Sequence, residues 1–100
     1  MRLRAYTIYD SKSFQHHAPF YAPTDGAAIR LVTDLANDLG TIIGRHPSDH
    51  VLYYVGDWDD EKGTFLPLEI KQHVRDCITL VQAPNVADLF TATQNKTAAE

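Results

Sequence analysis

Polar and apolar positions alternate from the start of the chain. In RLRAYTIYD, Leu3, Ala5, Thr7 and Tyr9 fall on one side and Arg2, Arg4, Tyr6 and Ile8 on the other. A period of two, in β-branched and aromatic residues, predicts a strand over residues 2–9. Asp10–Ser13 has the composition of a turn. Phe14–Ala22 is β-like again, but Pro19 has no amide to donate, so the segment belongs at a sheet edge, paired with the first strand as a hairpin. The period then changes. Ala28, Leu31, Val32, Leu35 and Leu39 recur at helical spacing and predict a helix over Thr24–Leu39. Thr24 or Asp25 supplies its N-cap, and Gly40 ends it in a left-handed turn.

Thr41–His50 reads as a connecting loop with Ile42 and Ile43 turned towards the core. VLYYVGDWDD (51–60) is apolar on both faces as far as Gly56, the pattern of a central strand. Asp59–Gly63 is a tight turn, and Thr64–Ile70 returns as the partner strand, with Pro67 marking an edge. Lys71–Gln82 carries two signals: Val74, Ile78 and Val81 fit a helix, CITLV alone fits a strand, and the helix is preferred. Beyond Pro84, Asn85 caps a short helix holding Val86, Leu89 and Phe90, and a polar, flexible tail begins near Gln94. Together the elements predict an α+β fold: a small antiparallel sheet of two hairpins packed against one main helix, with a short C-terminal helix. Residues 1–93 form a single domain and 94–100 a tail.

Composition narrows the setting. A chain of 100 residues, 44% hydrophobic and 10% aromatic, builds one modest core. No run of about 18 apolar residues spans a membrane. MRLRAYTIYD has a basic start but no apolar run behind it, unlike a secretory signal. The single cysteine, Cys77, precludes an internal disulfide and fits a reducing compartment. These features describe a soluble intracellular protein.

The net charge of −4 argues against nonspecific coating of nucleic acid, which depends on Lys and Arg neutralising phosphates. The charge is unevenly spread. Arg2, Arg4, Lys12 and Arg30 against Asp10 and Asp25 leave residues 1–33 at +2. Seven acids against Arg45 leave residues 34–61 at −6, and residues 62–100 balance. A basic front and an acidic middle suit opposite faces, or attraction between copies of the chain.

Five candidate chemistries can be weighed. His46-x3-His50 and His73-x3-Cys77 have a spacing used by zinc sites on helices, but Pro47 disfavours helix at His46, so ordinary histidines and no metal are expected. Cys77 lies among Val74, Ile78 and Leu80, as a buried structural thiol does; no catalytic residue is expected, and no enzyme. Asp57, Asp59, Asp60 and Glu61 lack the loop spacing of a calcium hand and read as a solvated hairpin tip. Gly26 alone is no phosphate loop, although the helix start offers free amides. For single-stranded DNA the ingredients are Arg2, Arg4, Lys12 and Arg30 for phosphates, with Tyr9 and Phe14 for stacking on bases. No cofactor is expected.

Three blocks then line up in order: YTIYDSK (6–12), PFYAPTDGAAIR (19–30) and HPSDHVLYYVGDWDDEKG (46–63). Over about 60 residues they resemble the small nonstructural protein of gokushoviruses, Microviridae phages with circular single-stranded DNA genomes. His50 stands where that family's pattern has an aromatic, and the C-terminal third matches loosely. The resemblance implies a nonstructural DNA-binding protein in the bacterial host cytoplasm. Its role would lie in viral DNA replication or in the handover of single strands to packaging. It implies no enzymatic chemistry, and an acidic protein fits a DNA role best as a homo-oligomer with a shared basic groove. The alternative is a protein–protein interaction module, engaging a host or viral protein such as a replication protein through Asp57, Asp59, Asp60 and Glu61.

Overall fold

A computed structural model describes residues 2–82. Strand β1 (Arg2–Asp10) is followed by the short strands β2 (Gln15–His16) and β3 (Phe20–Ala22) and by helix α1 (Asp25–Ala36). A single helical turn, α2 (Ile42–Arg45), and a 3-10 turn (Pro47–Asp49) lead into β4 (His50–Asp59). β4 turns into β5 (Thr64–Asp76), and a 3-10 turn closes the described chain at Cys77–Leu80. The sheet is antiparallel throughout, in the order β2-β1-β4-β5, with β3 pairing β1 beyond β2. One main helix on one face of an antiparallel sheet is an α+β arrangement, as the period changes predict.

β4 is central, between β1 and β5, and β5 is an edge strand that tolerates Pro67. Gly63, at φ 67, occupies the left-handed position of the β4–β5 turn, where glycine carries no steric penalty. The core lies between α1 and one sheet face. Ala28, Val32 and Ala36 bring the helix down onto Tyr6, Ile8, Leu52 and Tyr54, and Cys77 closes one end. Tyr6 stacks on Phe20 with centroids 5.7 Å apart and sits equally close to Tyr54. Burial of Leu52 alone contributes about 1.5–3 kcal/mol.

Several expectations need correcting. α1 stops at Ala36, not Leu39, and Asn37, not Gly40, caps it. The Asn37 amide donates to Thr33 O (2.7 Å) and Leu80 O (2.9 Å), and its Oδ1 accepts from Gln82 N (2.8 Å). Tying down the incoming C-terminal segment thus ends the helix one turn early. Thr24 is the N-cap, its hydroxyl accepting from Ala27 N. Leu31 and Leu39 are exposed (51% and 75%), because small residues, not the leucines, form the contacting stripe. Residues 41–50 are not all loop: Thr41 caps α2, whose Ile43 is buried while Ile42 faces outwards.

The largest correction concerns Lys71–Gln82. The helix preferred there is strand as far as Asp76 and 3-10 thereafter. Helical period in Val74, Ile78 and Val81 yields to the unpaired edge of β4, whose amides and carbonyls need partners. Opposite β4, the strand bulges: Pro67 pairs with Gly56 and Gln72 with Tyr54. The helix expected from Asn85, the tail from Gln94 and the domain limit at residue 93 lie outside the described residues.

Candidate nucleic-acid interface

The sheet face away from α1 is not covered by a second layer among the described residues. Alternation along β1 sends Tyr6 and Ile8 to the core and Tyr9 to this outer face. Cross-strand pairing then aligns one ring from each strand. Tyr9 pairs with His16 and Tyr53 with His73. The row His16, Tyr9, Tyr53, His73 crosses β2, β1, β4 and β5 in spatial order. Tyr9 and His16 have centroids 4.7 Å apart, His16 and Tyr53 6.3 Å, and Tyr53 and His73 6.2 Å in an edge-on contact.

Lys71 stands at the middle of the row. It shares the outer face with His73, two residues on. Its ammonium lies 4.6 Å from the Tyr53 centroid and 5.2 Å from that of Tyr9. It also sits 3.0 Å from His16 Nε2, which accepts its proton as a neutral imidazole. Burial and the neighbouring Lys71 charge both lower the His16 pKa, so the ring stays neutral. At the far end of the same face, Trp58 pairs across the hairpin with Phe65 and comes within 6.5 Å of Tyr21.

The residues singled out for DNA in the sequence are not all brought together. Tyr9 lies in the row, and Phe14, 79% exposed at φ 58, tips the neighbouring turn with Lys12. Arg2 and Arg4 alternate to the opposite face. Arg4 is engaged there: it pairs with Asp25 at 3.2 Å and lies 4.0 Å over the Tyr54 ring. Arg30 is exposed on α1, also across the sheet from Tyr9. The acidic residues are partly structural. Asp57 accepts from the Tyr54 hydroxyl at 2.5 Å, and Asp59 accepts from the amides of Glu61 and Lys62 at 3.0 and 3.1 Å. Asp60 and Glu61 occupy the exposed tip. Cys77 is fully buried, which pushes its thiol up to about 11, with Asp76 adding to the shift; it is not poised as a nucleophile.

His16, Tyr53, Lys71 and His73 were not singled out for nucleic acid. Their signal is period two: Tyr53 alternates with the core positions Leu52 and Tyr54, and Lys71 and His73 share one face once 71–76 is read as strand. Among the described residues no helix is long and apolar enough to cross a membrane.

Comparison with known proteins places the chain in a family. The family model described as phage ORF5 protein matches residues 3–80. Protein ORF5 of Chlamydia phage 1 is 34% identical over 73 residues, covering 69% of this chain and 76% of that protein. No solved structure matches. The chain therefore belongs to the phage ORF5 protein family and is a small gokushovirus phage protein, as its three sequence blocks suggest.

Proposed function

We propose that this protein binds single-stranded viral DNA through the outer sheet face. The observation that carries the proposal is the row of four rings, one per strand, around Lys71. Exposed rings on a sheet stack on bases of any sequence, and a nearby cation takes the phosphates. In the free protein the Lys71 ammonium lies over Tyr9 and Tyr53. On binding it moves to a phosphate and uncovers both rings, so charge pairing and stacking are gained together. Lys12 and Phe14 extend the surface along the β1–β2 turn.

The protein acts in the host cytoplasm, in genome replication or in the transfer of single strands to packaging, without catalysing a reaction. Because one protomer offers few cations on this face, copies associate to form a longer track. The sheet-face reading is favoured over an acidic partner site because Asp57 and Asp59 are occupied within the hairpin.

The test is fluorescence anisotropy with a labelled single-stranded oligonucleotide over a salt series. With one or two phosphate contacts per protomer, log K is expected to fall with log salt at a slope of about −0.7 to −1.4 per protomer. No binding at low salt, or a slope of zero, overturns the proposal.

A further inference from the structure

We propose that Asp10, His17 and His50 form a zinc-binding site at the end of the sheet where β1 meets the start of β4. Spacing along the chain points to His46 with His50, but the fold brings different residues together. Asp10 and His50 are direct cross-strand partners in the β1–β4 register. His17 arrives from the other side of β1. Its backbone is held at both ends: its amide donates to Ile8 O at 2.8 Å, and its carbonyl accepts from the Thr7 hydroxyl at 2.6 Å. One ligand atom from each of the three residues lies within 4.8 Å of the others.

The buried histidine carries the inference. His50 is 1% exposed. Its Nδ1 lies 2.7 Å from the His46 carbonyl, an acceptor only, so Nδ1 bears the proton and donates it there. In the neutral ring Nε2 is then a bare lone pair. Nε2 is buried and has no hydrogen-bond partner. It faces Asp10 Oδ2 at 3.7 Å. The other oxygen of that carboxylate, Oδ1, is already engaged, accepting from the amides of Lys12 (2.9 Å) and Ser13 (3.4 Å).

With the ring neutral, Nε2 and Asp10 Oδ2 are two electron-pair donors facing each other with no hydrogen between them. A gap of 3.7 Å is too long for a hydrogen bond. It is close to the roughly 3.3 Å that separates two ligands of a tetrahedral zinc with bonds near 2.0–2.1 Å. A small rotation of the exposed His17 ring, whose centroid is 5.8 Å from that of His50, completes a three-ligand set. Each fixed ligand also has the outer hydrogen bond that orients metal ligands: the His46 carbonyl for His50, and the turn amides for Asp10. Two imidazoles and one carboxylate suit zinc better than calcium or magnesium, which prefer all-oxygen sites. Asp10 and His17 also line a hollow of about 310 Å³ together with Ser13, Gln15, His16 and Ile42, with room for a water as fourth ligand. The bound ion would clamp the β1–β2 turn to the start of β4.

The experiment is calorimetric titration of the full chain, free of any histidine tag, with zinc chloride. One equivalent per chain is expected, and cobalt(II) in its place should give the visible absorption of a tetrahedral ion. His17→Ala removes an exposed side chain and leaves the fold intact, as thermal unfolding without metal will verify; it should weaken zinc binding at least ~10-fold. Asp10→Asn should do the same, and His46→Ala should leave affinity unchanged. At zinc a hundredfold above Kd, melting of the wild type should rise by about 10–20 °C. Absence of saturable uptake up to about 1 mM zinc, or equal uptake by wild type and His17→Ala, overturns the site. Equal tightening by calcium or magnesium would overturn its assignment to zinc.

Discussion

The Tyr6 hydroxyl donates to Asp25 Oδ1 at 2.5 Å, joining the buried middle of β1 to the first turn of α1. Both residues are shared with other contacts: Tyr6 stacks on Phe20, and Asp25 pairs with Arg4. Burial, and then the bond to Asp25, raise the Tyr6 pKa well above its ordinary value of 10.0. A raised tyrosine stabilises the folded state fully below its unfolded pKa and loses that contribution as pH climbs beyond it. Stability should therefore fall from about pH 10 upwards. Tyr6→Phe should remove part of that fall. At neutral pH it should cost about 1–2 kcal/mol, at the low end for a charged hydrogen bond because Asp25 remains half exposed to water. Chemical denaturation at pH 7 and pH 11 measures both effects.

Tyr53 and Lys71 should fail in different ways if the outer face binds single strands. Tyr53→Ala removes a stacking platform and should weaken binding by about 1–3 kcal/mol per base lost, with the salt slope unchanged. Lys71→Ala removes a phosphate contact and should make the slope shallower by about 0.7. Anisotropy at several salt concentrations separates the two. Identical salt slopes for wild type and Lys71→Ala would contradict the phosphate role.

Two glycines should respond to alanine with opposite signs. Gly26, in the first turn of α1, has open space: an added Cβ meets only Thr24 Oγ1, at 3.9 Å. Gly26→Ala should stabilise the protein by about 0.5–1 kcal/mol through helix propensity. Gly44, in α2, is buried with its Cα against the end of α1. A Cβ there would strike the carbonyl of Asp38 and come within 3.0 Å of Leu35 O. Since neither backbone group moves without breaking the α1–α2 connection, Gly44→Ala should cost about 3 kcal/mol or more. Thermal unfolding of the two variants gives the comparison directly.

Much of the fold was legible locally. Alternation marks β1, a proline-bounded entry marks α1, and the β4–β5 turn is written in Asp59–Gly63. Gly26 belongs to that local level as well: helix, not phosphate loop. Local pattern misjudged the segment after Ile70, because its helical period is outweighed by the need to satisfy the open edge of β4. It also misjudged the end of α1, which is set by what Asn37 grips more than forty residues away.

The functional surfaces divide along the same line. The sequence by itself determined the class of the protein, its family blocks and the supply of aromatic and basic residues. It also placed Tyr9 opposite Tyr6, because side chains alternate along any strand. Only the tertiary structure decided that His16, Tyr9, Tyr53 and His73 form one row and that Arg4 is spent on Asp25. Only it set His17 and Asp10 beside the buried, unpartnered Nε2 of His50. The physical reason is that these neighbours come from strands paired across long sequence separations. Their register is settled by burying Tyr6, Leu52 and Val32 together, a requirement that no single segment carries.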